Sequence, residues 1–204
     1  MSDNTRIAKN TIFLYFRMFL IMGVSLYTSR VVLSALGVED YGLYNVVGGI
    51  VAMFSFLNGS LSGATSRFIT FELGRKDYVK LNKIFNVALV VHIFIAFIII
   101  LLAETIGLWF FYEKMIIPED RLNAAFWVYQ ISILTTFFSL SQVPYTATII
   151  AHEDMKIYAY IGIVEVILKL LIVYLLAVSP FDKLVFYAIL LCVIQIGIIL
   201  YYRY

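Results

Sequence analysis

Cysteine is nearly absent. Cys192 stands alone among 204 residues, which excludes a disulfide framework within the chain and any cysteine-rich metal site. Charge is scarce as well: Lys, Arg, Asp and Glu make up 14% of the sequence, where a soluble domain carries about a quarter. With only three prolines and eleven glycines, the composition argues against a disordered or fibrous chain. A net charge of +2 offers no basis for nucleic-acid binding. No HExxH, GxSxG or Walker-type glycine loop occurs, so no enzyme is expected, and no catalytic residue, metal or cofactor. A cleavable leader is not expected either. Arg6 and Lys9 resemble its basic start, but the run after them contains Arg17 and lacks a small-x-small cleavage site.

What is there is apolar. The chain is 63% hydrophobic with a mean hydropathy of +0.95. A helix needs about 20 residues to cross the hydrocarbon core of a bilayer. Six segments qualify, 11–36, 41–73, 84–111, 124–150, 155–178 and 184–202, and the reading is an all-α, polytopic membrane protein built as one six-helix unit. The second span exceeds the bilayer, so its tail, 65–74, is expected to project into the cytoplasm. Pro144 removes one helical hydrogen bond and should bend the fourth. Asn58-Gly-Ser60 reads formally as a glycosylation sequon but falls inside the second span, where it is void.

Orientation follows from the basic residues of the loops and tails. With the N-terminus inside, the cytoplasmic set is Arg6, Lys9, Arg75, Lys76, Lys80, Lys83, Lys156 and Arg203, against Lys114, Arg121 and Lys183 outside. That asymmetry predicts cytoplasmic N- and C-termini. Tyr41, Trp109, Tyr112, Trp127 and Tyr201 flank span ends, as interfacial aromatics do.

Charges within the spans stand out against this background. Arg17 lies in the first span, and Glu165 and Lys169, four residues apart, lie in the fifth. A charge at mid-span costs roughly 2.5–3.5 kcal/mol even on a lenient scale, so such residues face protein or water and mark the path of something polar. At about 100° per residue, Asn10, Arg17 and Thr28 share one face of the first span. Tyr158, Gly162, Glu165 and Lys169 share a face of the fifth. Small and polar residues of the second span (Asn45, Gly48, Gly49, Asn58, Gly59, Ser60, Ser62 and Gly63) and hydroxyls and amides of the fourth (Gln130, Ser132, Thr135, Thr136, Ser139, Ser141 and Gln142) add to an interior that would surround a wet cavity. Blander readings stand beside these. Glu165 and Lys169 can neutralise each other as a structural pair, and Arg17, roughly 9 Å of helix rise past Thr11, can reach the cytoplasmic headgroups. Glu104 reads as interfacial, and His92 and Cys192 as packed residues.

The stretch from Arg30 to Tyr44, RVVLSALGVEDYGLY, resembles the junction of spans one and two in polysaccharide biosynthesis proteins. These are the O-antigen and capsule flippases of the multidrug/oligosaccharidyl-lipid/polysaccharide superfamily, which have a MATE-like fold. Gly59 to Arg67, GSLSGATSR, is similar to the family's small-residue segment ending in Arg, and His152 to Lys156, HEDMK, to its inner loop between spans four and five. The resemblance runs from about Asn10 onward and covers one lobe, the N-terminal one. It implies two six-helix lobes around a central cavity, and hence a C-terminal lobe or a second copy as partner. It further implies transport of an undecaprenyl-diphosphate-linked oligosaccharide across the bacterial inner membrane for surface polysaccharide, beside polysaccharide assembly proteins. Arg17, Arg30, Arg67 and Lys169 would then hold the diphosphate, because Arg offers a planar set of donors to phosphate oxygens. For Arg30 and Arg67, nearer the span ends, a headgroup contact is the competing role. Glu165 would set the field or couple an ion.

Three alternatives compete with this reading, one of them a purely structural membrane subunit, against which the charges within the spans argue. A drug/cation antiporter or peptidoglycan-precursor flippase could use the same fold, although an antiporter cavity would be dominated by acids. A membrane enzyme acting on polyprenyl-linked sugars would need a large outer loop, and the longest here, 112–123, is short.

Overall fold

Backbone groups inside hydrocarbon have no water to bond, so a spanning chain satisfies them within its helices. The computed structural model describes residues 3–53 and 56–203, with the backbone alone at 3–9, 52, 56–58 and 177. The side chains of Arg6, Lys9 and Asn58, which entered the charge count and the void sequon, lie outside the described residues, as do positions 54 and 55 of the second expected span. Among the described residues seven α-helices follow one another: α1 (Asp3–Ala52), α2 (Phe56–Arg75), α3 (Tyr78–Leu102), α4 (Leu108–Glu113), α5 (Leu122–Ala151), α6 (Met155–Val178) and α7 (Lys183–Arg203). No strand occurs among the described residues. Among the described residues, five helical stretches are long and apolar enough to cross a membrane: Asn10–Val51, Tyr78–Glu113, Glu119–Ala151, Met155–Leu176 and Lys183–Arg203.

The first of these has 42 residues, about twice what one crossing needs, and Gly37 divides it. Gly37 has φ 83° and ψ 170°, a backbone region that is essentially glycine's alone. Before it, α1 runs alongside α6 in the same direction: Asn10 Nδ2 donates to the Glu153 carbonyl just ahead of α6, Tyr27 Oη meets Tyr174 Oη, and beyond the end of α6 Lys183 Nζ, at the start of α7, donates to the Ala35 carbonyl. After Gly37 the chain runs alongside α5 instead, from Asp40 beside Arg121 to Gly48 beside Ser132. Since α5 and α6 form a hairpin, Gly37 is where the chain reverses. The expected connection at 37–40 is thereby reduced to one non-helical residue. The second expected span is carried by 38–52 and α2.

Other boundaries differ for local reasons. α3 starts at Tyr78, ahead of the expected 84, because Asp77 caps it by accepting a hydrogen bond from the Lys80 N–H at 3.0 Å. A π turn, Ala103–Gly107, joins α3 to α4. There the Tyr129 hydroxyl donates to the Ala103 carbonyl at 2.7 Å, and a Cβ at Gly107 would collide with that hydroxyl. α5 is helical on both sides of Pro144, and Thr148 Oγ1 donates to the Pro144 carbonyl at 2.8 Å.

Three apolar clusters hold the helices together. Val47, Val51, Ala103, Phe111, Val128 and Tyr129 pack near one end. Val32, Ile172, Val173, Leu176 and Tyr187 join α1, α6 and α7, and Ala96, Ile99 and Leu140 join α3 to α5. The outside is apolar too: Ile12, Phe16, Phe19, Phe94, Phe97 and Trp127 are all exposed. Such a surface would drive aggregation in water, and in a bilayer it is the face turned to lipid.

At one end Arg121 ties three connections together. Its Nη1 donates to Asp182 Oδ2 at 2.7 Å and its Nη2 to Asp40 Oδ2. The Asp40 side chain is 8% exposed, so it depends on that guanidinium for its counter-charge.

Candidate functional site

α6 carries a polar face. Tyr158, Gly162, Glu165 and Lys169 recur at spacings of four, three and four residues, which stacks their side chains along one stripe. Arg17 of α1 reaches this stripe because α1 and α6 run side by side. Its guanidinium carbon sits 4.2 Å from the centroid of the Tyr158 ring, within the range of a cation–π contact. It also crosses Gly162: a Cβ there would stand 2.9 Å from Arg17 Nη2 and 3.1 Å from Cζ. The missing side chain of Gly162 is what lets the arginine lie across the helix. Arg17 Nε is buried without a hydrogen-bond partner, and Arg17 makes no ion pair among the described residues.

Glu165 and Lys169 behave differently. Lys169 Nζ lies 2.7 Å from Glu165 Oε1, with the two side chains 42% and 28% exposed respectively. They neutralise each other along the stripe while remaining open to a cavity on either side. The first cavity, about 340 Å³, is lined by Gly59, Ser62, Gln142, Tyr158 and Glu165 among others. The second, about 450 Å³, includes Asn45, Gly48, Ser132, Thr136 and Lys169. Gln195 of α7 lines both, and its Nε2 donates to Gln142 Oε1 at 2.7 Å. The amide pair and the ion pair thus stand where the two cavities meet.

Of the expected site residues, the structure brings Arg17, Glu165 and Lys169 to one face of α6. None of the three arginines lines either cavity; Arg17 touches the first through the Tyr158 ring that lines it, whereas Arg30 and Arg67 are exposed. Thr28, on the Arg17 face of α1, has its hydroxyl buried without a partner, and Asn10 on the same face bonds the Glu153 carbonyl. That stripe is a contact with α6 more than a cavity wall. His92 is 2% exposed with Nδ1 at 2.6 Å from the Ala88 carbonyl, and Cys192 is buried. Glu104 accepts from Gln130 Nε2 at 3.4 Å. The residue that the sequence reading passed over is Gln195, and the available signal was an amide standing alone in the apolar run 188–200. Among the described residues no group of three or more His, Cys, Asp or Glu is placed to hold a metal.

Chemically, the site offers a guanidinium with no ion-pair partner among the described residues, stacked on a tyrosine that lines the first polar cavity, then a neutralised ion pair farther along α6 and a second polar cavity. A family model described as MatE matches residues 14–175. No curated protein and no solved structure matches the chain.

Proposed function

The chain belongs to the MatE family, whose members are membrane transporters, and on that premise we propose that it forms one lobe of a flippase for an undecaprenyl-diphosphate-linked oligosaccharide. The other wall of the transport path would come from a second lobe or a second copy of this chain. In this reading the protein sits in the bacterial inner membrane with both termini in the cytoplasm and serves surface polysaccharide assembly.

The observation that carries the proposal is the state of Arg17. A guanidinium within a span, with no carboxylate partner among the described residues and a buried Nε lacking an acceptor, is a cation waiting for an anion. Phosphate oxygens match its planar donors, and each charge-assisted hydrogen bond is about twice as strong as a neutral one. The Tyr158 ring and the gap at Gly162 hold it beside the first cavity. Arg30 and Arg67, exposed, are assigned to headgroups at the membrane surface, where exposed arginines meet lipid phosphate.

A cation antiporter draws less support. The carboxylate lining the first cavity, Glu165, is already paired with Lys169, which reduces its pull on a cationic drug. The test is a strain whose surface polysaccharide depends on this chain. Its loss should stop surface display and leave lipid-linked oligosaccharide on the cytoplasmic face. Unchanged display, with increased sensitivity to cationic drugs, would favour the antiporter.

A further inference from the structure

The second cavity is built unlike a phosphate site. Its charged lining residue, Lys169, is already held by Glu165 at 2.7 Å, so little net charge faces the space. The remaining polar groups are neutral and partly free. The Ser132 and Thr136 hydroxyls make no hydrogen bond among the described residues, and each offers a donor and two acceptor lone pairs. Asn45 spends Nδ2 on the Tyr41 carbonyl at 2.7 Å, which leaves its Oδ1 as an acceptor toward the cavity it lines.

Glycine supplies the room. A Cβ at Gly49 would meet nothing within 4 Å, and one at Gly48 would meet only Ser132 Oγ at 4.0 Å. The volume of about 450 Å³ is that of a small-ligand pocket, commonly about 300–1,000 Å³. Free hydroxyls, a free amide oxygen and space left open by two glycines suit a ligand that is itself rich in hydroxyl groups. Along α6, Lys169 lies seven residues beyond Gly162, roughly 10 Å of helix rise, so the two cavities are successive stations on one face.

We propose that the second cavity is a glycan subsite, which takes sugar rings of the transported lipid while Arg17 takes the diphosphate. The proposal rests on the lipid-diphosphate reading above and adds to it the part of the site that reads the sugar. Such a site discriminates strongly, because an analogue without the matching hydroxyl leaves polar groups of the wall unpaired. The Gln142–Gln195 pair separates this subsite from the phosphate station.

The experiment uses the purified chain in detergent and two probes, farnesyl diphosphate and farnesyl diphosphate linked to N-acetylglucosamine. Ser132→Ala and Thr136→Val should each weaken binding of the sugar-bearing probe by about three- to tenfold while farnesyl diphosphate binds as to the wild type. Arg17→Ala should weaken both probes. Sugar-probe affinity unchanged in both cavity variants would overturn the subsite, and equal weakening of the two probes would reassign the cavity to the diphosphate. A wild-type chain that binds neither probe would overturn the lipid-diphosphate reading and this one with it. Should Thr136→Val fail to fold, Ser132→Ala and Asn45→Leu carry the same comparison.

Discussion

Arg17 and Gly162 share one space: the guanidinium of the first occupies the volume that a side chain on the second would fill. Gly162→Ala therefore either displaces Arg17 from its seat over Tyr158 or strains it there. Overpacking of this kind costs about 1–3 kcal/mol. The same substitution on an Arg17→Ala background should cost less than about 0.5 kcal/mol, because its collision partner is gone. Thermal unfolding of the four proteins in one detergent gives the cycle, and equal costs on both backgrounds would deny the contact.

Arg121 balances a carboxylate that has little access to water. Removing it by Arg121→Ala leaves Asp40 buried without a partner, a defect worth about 3–5 kcal/mol. Asp182 has a side chain 40% exposed, so Asp182→Asn should cost no more than about 1 kcal/mol. Comparing the two by thermal unfolding checks the ranking, and an Asp182→Asn variant as unstable as Arg121→Ala would contradict it.

The same three connections bear on topology. Asp40, Arg121 and Asp182 meet at one end of the bundle, while Asn10 and Glu153 meet at the other. On a Cys192→Ser background, single cysteines at the exposed positions Glu119 and Lys183 should react with an impermeant maleimide added outside the cell. Cysteines at Lys80 and Asp154 should not. Labelling at position 80 from outside would invert the proposed orientation.

The ion pair separates structure from transport. If Glu165 and Lys169 only neutralise each other, Glu165→Leu/Lys169→Leu should both fold and transport, whereas each single change strands a charge within the membrane. Their position between two polar cavities predicts a different outcome. The double variant should keep near-normal folded yield and lose transport, as read by detergent-solubilised yield and by surface polysaccharide on the same cells. Full transport would make the pair a packing feature.

How much of this was legible in the sequence depends on distance along the chain. Helices came from the length of the apolar runs, and the Glu165–Lys169 contact from a spacing that any helix turns into a neighbour pair. Arg17 stood out because charge inside an apolar run is expensive. Its seat on Tyr158 and Gly162 was not legible, because those partners belong to another helix and no local pattern names them. The same holds for Arg121, whose two carboxylates lie 81 and 61 residues away, and for the π turn, set by a tyrosine 26 residues from the carbonyl it bonds. Gly37 was visible as a Leu-Gly motif, but only its positive φ shows that the whole reversal is made at that one residue. Arg30 and Arg67 drew attention through the motifs that contain them, and the fold leaves both on the surface.

The central claim is that Arg17 holds the diphosphate of a transported lipid, and one measurement bears on it directly. Proteoliposomes containing wild type, Arg17→Lys or Arg17→Ala, matched for folded protein, are loaded with a polyprenyl-diphosphate-linked oligosaccharide, and its appearance in the opposite leaflet is followed. The account predicts loss of translocation in Arg17→Ala and partial activity in Arg17→Lys, which keeps the charge without the planar donor set. Translocation by Arg17→Ala at the wild-type rate would contradict it and leave Arg17 as a residue that only anchors α1 to α6.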